Sequence, residues 1–390
     1  MIPQSLGQGV GHPSRWGRRA GTLACVLYGV LACGDSTAPD ALSIELTGRV
    51  ERSATVSLTA TLDGRVLPDS EVVWSADPEG AVSFLPGQRA VFLAVGSVTL
   101  SARARREAAS ATIAVAVPPT IVFDMLRDGN RDIYRVALDG QDLVQLTTDP
   151  GDDSDPTAAG TTVVFVSYRD GNGELYRVPL SAGAPVRLTT TDAAEAGPAL
   201  SYDGTQLAYT YSGTGVPKLW TSRADGGGAA RVTGSFGFAG SIEASPSWAP
   251  DGDRVAFVST AEGTADLVTY TASGTTFVPL VPDSASSAEV EPAWSPDGEW
   301  VAFATNRTGD TEIYLFEVAT GALSRLTDRP GSDGQPTWVP DGRLVYVAWT
   351  DGAPGLRWLD PETPDVVHDI DIGPGEPRHP SGILVQQSGQ

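Results

Sequence analysis

The chain has 390 residues, a formal net charge of −22, 44 glycines, 29 prolines and only 19% charged residues. So acidic a surface repels phosphate, which excludes a nucleic-acid-binding role. A 41% hydrophobic content excludes disorder, and with so much Gly and Pro it suits short strands joined by tight turns. No long stretch carries a helical apolar period. The length fits roughly two or three domains. The single lysine, Lys218, reads as a compositional habit and not as a site.

Residues 1–32 read as an export signal. Arg15, Arg18 and Arg19 precede a short apolar run from Ala20 to Ala32, too short to span a membrane. The run ends Val30-Leu31-Ala32-Cys33. That tetrapeptide resembles the lipobox of bacterial lipoproteins, which implies cleavage before Cys33 and acylation of its thiol. A multiply acylated cysteine anchors firmly. Residues 33–40, rich in Ser, Thr, Pro and Asp, read as a tether. With Cys33 acylated, no intrachain disulfide is expected.

Residues 41–117 alternate apolar and polar positions in short runs: Leu42–Leu46, Ala54–Leu62, Glu71–Trp74, Ala81–Phe84, Arg89–Ala94, Ser97–Ala104 and Ala111–Val117. About seven strands at this spacing predict a small all-β sandwich with Trp74 in its core. Val73-Trp74-Ser75-Ala76-Asp77-Pro78 and Val95-Gly96-Ser97-Val98-Thr99-Leu100-Ser101-Ala102 resemble the bacterial Ig-like domains of group two. The resemblance implies a spacer or adhesion module.

Residues 118–390 repeat. A turn recurs as Ala158-Ala159-Gly160, Tyr202-Asp203-Gly204, Pro250-Asp251-Gly252, Pro296-Asp297-Gly298, Pro340-Asp341-Gly342 and Pro380-Ser381-Gly382, at intervals of 44, 48, 46, 44 and 40 residues. Asp-Gly is a strong hairpin signal, because glycine tolerates positive φ. A Pro-x-Trp strand precedes the turn, as in Pro292-Ala293-Trp294. An apolar strand, an Ile-Tyr or Leu-Tyr strand and a Leu-Thr strand follow it. Four strands in a period of about forty residues predict a propeller blade. The pattern is complete at 292–314 and resembles the WD-like repeats of the TolB family. The expected fold is therefore all-β: an Ig-like β-sandwich followed by a six-bladed β-propeller. TolB proteins carry an α/β domain before the propeller, and here the sandwich reading takes its place.

The first unit lacks its own Pro-x-Trp strand. The chain end supplies a copy as Glu376-Pro377-Arg378-His379-Pro380, predicted to close blade one. Closure removes sheet edges that would otherwise pair with other chains. Ile383-Leu384-Val385 is then surplus, a blade cap or a partial seventh blade.

Blade parity sends the loops between strands two and three, and those between blades, to one face. Acids accumulate there: Asp149, Asp152, Asp153, Asp155, Asp192, Glu195, Glu243, Asp283, Glu289, Glu291, Asp328, Asp333, Asp371 and Glu376. The residue before each innermost proline is expected to rim the channel, namely Asp155, Gly197, Ser245, Glu291, Gln335 and Glu376. Asp155, Glu291, Gln335, Glu376, Arg378 and His379 are the candidate ligand-binding residues. The segment 149–155 has oxygen ligands but not the spacing of an EF-hand, and no metal or cofactor is assigned. Arg127-Asp128-Gly129-Asn130 and Arg169-Asp170-Gly171-Asn172 read as structural turns.

There is no Gly-x-Ser-x-Gly elbow, no His-Glu-x-x-His and no thiol beyond the anchor, so no catalytic residues are assigned. These readings, with the TolB resemblance, imply a monomeric, non-enzymatic, lipid-anchored protein of the cell envelope. It would sit at the outer membrane, facing the periplasm or the cell surface, and bind a basic envelope protein or peptide. The alternatives are a carbohydrate-binding or adhesion module and, more remotely, a propeller hydrolase or lyase.

Overall fold

Period-two alternation becomes strand throughout the computed structural model, which describes residues 42–213, 215–232, 240–273, 276–281 and 287–384. The described residues hold 32 strands and one short 3-10 turn, Asp69–Glu71. The signal segment, Cys33, the tether, Asp283 and Val385 lie outside them.

The N-terminal unit is two antiparallel sheets, one of five strands and one of three. They enclose a single core that includes Leu58, Leu67, Phe92, Leu100 and Ile113. Eight strands stand where the alternation predicted seven. The addition is Arg65–Val66, hairpinned onto Thr61 and Leu62 through Asp63-Gly64. Two residues are too few to display a period. Trp74 is half-buried at the edge of this core.

Beyond residue 118 the chain is a propeller-type array of four-stranded antiparallel sheets. Arrays 153–187, 195–231, 243–279, 289–325 and 332–369 each run in sequence order from an inner to an outer strand. The first array is composite. Thr120–Arg127, Asn130–Ala137 and Val144–Gln145 supply three strands, and the innermost is Glu376–Leu384, antiparallel to Thr120–Arg127. Thus the C-terminal strand closes the first array, as predicted, but Pro380-Ser381-Gly382, expected as a turn, lies within that strand, with Ser381 and Gly382 paired to Val122 and Ile121. Its last residues are not surplus: Ile383 and Leu384 pair in parallel with Ala158 and Ala159 of the next array.

Each apolar cluster is shared by neighbours. Ala293, Ile313 and Leu315 of one array pack on Trp338, Leu344 and Tyr346 of the next. Ile121, Phe123 and Tyr134 of the first pack on Val345, Val347 and Leu356 of the last, so the ring is closed. The Pro-x-Trp indoles tie these seams. Trp248 Nε1 donates to Ala199 O at 3.1 Å, and Trp338 Nε1 to Ala293 O at 3.0 Å. A fully buried side chain of this size contributes roughly 1.5–3 kcal/mol, so the aromatic positions stabilise the ring itself.

The closing strand has Gly382 where Pro-x-Trp would place tryptophan. A Cβ there would lie 1.9 Å from the Trp338 carbonyl oxygen. Gly382→Ala should therefore lower stability by about 3 kcal/mol, since backbone must move to relieve the contact. Gly355→Ala, whose Cβ meets nothing within 4 Å, serves as the control. Chemical denaturation of the two variants checks this.

Candidate functional site

Every inner strand of the ring carries a bulge at the same place. The ladder shifts between Ser154 and Thr157, Ala196 and Ala199, Ala244 and Ser247, Val290 and Ala293, Gly334 and Thr337, and Arg378 and Ser381. Within each shift a residue with left-handed backbone precedes a proline: Asp155 (φ 50), Gly197 (54), Ser245 (50), Glu291 (56), Gln335 (52) and His379 (45). Bulges re-aim side chains. Proline restricts the residue before it, and a non-glycine residue in this region costs about 1–2 kcal/mol. The strain is repeated around the ring and is held by bonds between neighbours. Glu291 Oε2 accepts the Gln335 amide at 2.6 Å, Gln335 Oε1 accepts that of His379 at 2.9 Å, and Asp124 Oδ1 accepts that of Asp155 at 3.2 Å.

These residues line a cavity of about 340 Å³ on the ring axis, with Ala196, Ala244 and Thr210 between them. The prolines 156, 198, 246, 292, 336 and 380 separate it from a second space of about 160 Å³ beside Trp248, Trp294 and Trp338. Tyr202 spans that lower end, donating its hydroxyl proton to Trp294 O at 3.0 Å.

The charges gather on one arc. His379 Nδ1 lies 2.7 Å from Asp124 Oδ1 and 3.1 Å from Asp155 Oδ1. Asp124 is fully buried and also pairs with Arg131. Asp124, Asp155 and His379 each bring a ligand atom within 4.8 Å of the others, a grouping that could hold a cation. In this arrangement the imidazole N–H fills that place. Burial alone would push the His379 pKa down. The hydrogen bond to Asp124 and the charges of Asp155, Asp124 and Glu291 outweigh it and raise the pKa to about 9. Burial also raises the Asp155 carboxyl, against the opposing charge of His379, and raises Glu291, against the Gln335 N–H and His379. Opposite this arc stand only Gly197 and Ser245.

Five of the predicted rim residues thus occupy the rim, and Asp155, Glu291, Gln335 and His379 converge. Glu376 does not join them. It is exposed and pairs with Leu126 at the start of the closing strand. The chain end holds two prolines three residues apart, and the bulge selects Pro380, so His379 is the rim residue. Arg378 lies over the Trp349 ring at 5.3 Å and does not line the cavity.

Most acids predicted for this face are not free. Asp153, Glu195, Glu243 and Glu289 open their inner strands, Asp333 stands second in its own, and all five are buried. Asp153 pairs with Arg169 at 3.0 Å, Glu289 with Arg307 at 2.9 Å, and Glu243 with Lys218 at 3.1 Å, so the lone lysine is a buried structural partner. Within 149–155 the acids are engaged by the protein itself: Asp149 Oδ1 accepts the Gly151 amide, Arg169 lies 3.8 Å from Asp149 Oδ2, and Asp152 Oδ1 accepts the Arg131 amide. Asn130 and Asn172 brace their loops, consistent with structural turns.

Asp124 escaped notice in the sequence, although a signal existed. The residue after the aromatic in each second strand is Val166, Thr210, Val258, Ala304 or Val347 elsewhere, and Asp124 follows Phe123. The charged cluster is therefore where the closing array departs from its repeats.

Since the folded pKa of His379 exceeds the ordinary 6.5, the stability it lends is present in full below that value and is lost as pH rises through about 9. NMR titration of the His379 imidazole should give a midpoint near 9, and Asp124→Asn should return it toward 6.5.

A family profile described as the TolB beta propeller domain matches residues 82–282 and 282–358. The Tol-Pal system protein TolB of Bordetella pertussis is 41% identical over 114 residues, which are 29% of this chain and 26% of that protein. The match thus spans about a quarter of that relative's length. The crystal structure of TolB from Acinetobacter baumannii superposes with a TM-score of 0.61 at 16% identity, over 80% of this chain and 82% of that one. A chain of a nidogen/laminin complex gives 0.55 at 14% identity, over 69% of this chain and 99% of its own. The shared fold at such identities speaks to architecture alone. The family profile covers more than half of the sequence, and this chain belongs to the TolB β-propeller domain family.

Proposed function

We propose that this protein is a non-enzymatic scaffold of the cell envelope that binds a basic protein or peptide at the mouth of its axial cavity. In this reading residues 1–32 are a lipoprotein signal, 33–40 a tether from acylated Cys33, 41–117 an Ig-like sandwich and 118–390 a six-bladed TolB-like propeller. The named relative belongs to the Tol-Pal system, which supports an envelope setting. The match of arrays and seams to the repeat supports the blade count.

The observation that carries the binding reading is the arc of Asp155, Glu291, Gln335 and His379 on the 340 Å³ cavity. Asp124, Asp155 and Glu291 face the cations Arg131 and His379, which leaves the arc net negative. Low-dielectric walls focus such a field on an incoming cation. Gly197 and Ser245 leave the other half of the mouth open for a lysine, arginine or N-terminal amine to enter. Binding is favoured over general-base chemistry because His379, with its pKa near 9, carries its proton at neutral pH.

Asp155→Asn with Glu291→Gln keeps the hydrogen-bond acceptors and removes two charges. Retention of envelope proteins from a detergent extract should fall about tenfold at low salt, a change of about 1.4 kcal/mol, and lose its salt dependence. Glu376→Gln should behave as wild type. Equal retention by the double variant, with the same salt profile, would place the ligand elsewhere. Cys33→Ala should release the protein from membranes or leave it as uncleaved precursor, and fractionation with gel mobility reads this directly.

A further inference from the structure

The two units of the chain meet through charges. The loop after Leu42–Thr47 presents Arg49, Glu51 and Arg52 to the propeller. Arg49 bridges Asp341 at 3.1 Å and Asp360 at 3.0 Å. Glu51 takes both terminal nitrogens of Arg343, at 2.6 and 3.0 Å. Arg52 grips Asp139 at 2.7 and 3.2 Å and Asp142 at 2.7 Å.

Exposed ion pairs contribute little, but bidentate, buried networks are the exception. Here Arg343 is 1% exposed, Asp139 5%, Glu51 13% and Arg52 16%. The Arg343 guanidinium also lies over the Trp358 ring at 4.8 Å. Domains joined by small polar interfaces move by default, so a network with this geometry marks a fixed pose.

Its placement is specific. Asp341, Arg343 and Asp360 belong to the last array, 332–369, whereas Asp139 and Asp142 form the hairpin turn of the first. Three charged positions within four residues of the sandwich loop, 49, 51 and 52, therefore straddle the seam at which the ring closes. The contacts lie at the turn end of the inner strands. Strand Ser332–Trp338 has Gln335 near the cavity and runs from there to the Asp341 turn. The sandwich thus docks at this seam on the face opposite the cavity mouth. Leu42–Thr47 runs toward the contact loop, so Leu42 lies at the far end of the sandwich.

We propose that the N-terminal unit is a rigid stand clasped across the closing seam, holding the cavity mouth at the end of the molecule remote from Leu42. The clasp has two consequences. It secures the first array, which is built from distant parts of the chain, and it fixes the direction in which the mouth faces. Combined with anchoring through Cys33, on which this last step alone rests, the mouth is presented away from the anchoring bilayer to a partner across the intervening space.

The test uses the full chain in solution and does not depend on whether Cys33 carries lipid. Arg49→Gln, Glu51→Gln and Arg52→Gln together remove the sandwich half of the clasp and leave every propeller residue intact. Wild type should scatter X-rays as one extended pose and melt in a single transition. The triple variant should show a broadened distance distribution, and its propeller should melt roughly 5 °C lower. Glu51→Gln alone, which removes the charge facing Arg343 across the seam but keeps an acceptor and leaves the Arg343–Asp341 pair at 2.7 Å, should give about half that shift. Scattering and melting unchanged in both variants would overturn the proposal. A melting shift in the triple variant with an unchanged distance distribution would overturn the fixed-pose half.

Discussion

A left-handed residue held in front of a proline is the constraint from which the axial site follows. The proline bars the preceding residue from helical backbone, and the bulge takes that residue out of the ladder. The side chain that would have pointed across the sheet then points down the ring axis. Because the device recurs in each inner strand, six backbone positions converge on the axis, five of them with side chains, without any long-range instruction in the local sequence. On this arc the strain is offset by amide hydrogen bonds passed from Glu291 to Gln335 to His379, which hold that part of the rim in place. Such pre-organisation lowers the cost of binding.

Burial decides which of the many acids remain chemically available. A carboxylate at the start of an inner strand sits against the neighbouring array and is stable only with a partner. Arg169, Lys218 and Arg307 supply that partner at three such positions. Where a second acid faces it instead, the carboxyl is driven up. Burial first, and then the charge of Glu312, raises Asp333 to about 6. The formal charge of −22 therefore overstates the field at the mouth, which depends on the few carboxylates of the axial arc.

The closing array is the point at which the repeat and the site coincide. Its inner strand arrives from the far end of the chain and brings His379 to face Asp124 of Thr120–Arg127. Neither has a counterpart in the regular repeats. The same seam is spanned on the opposite face by Arg49, Glu51 and Arg52. Closure, site and domain pose are thus concentrated on one side of the ring.

The sequence by itself determined the all-β class, the four-strand repeat, the aromatic seams and the C-terminal strand that completes the first array. These follow from period-two alternation, Asp-Gly turns and self-similarity, all of which are local. It also placed Asp155, Glu291 and Gln335 on the rim, because each stands one residue before a recurring proline. Only the tertiary structure decided between Pro377 and Pro380, since both fit the motif and just one falls at the bulge. That choice exchanged Glu376 for His379 and turned a ring of acids into an arc with its own cation. Asp124 and the Arg343–Glu51 pair were likewise decided in three dimensions, because their partners lie 255 and 292 residues away. Pairings over such separations depend on how the ring closes, and no local pattern encodes that.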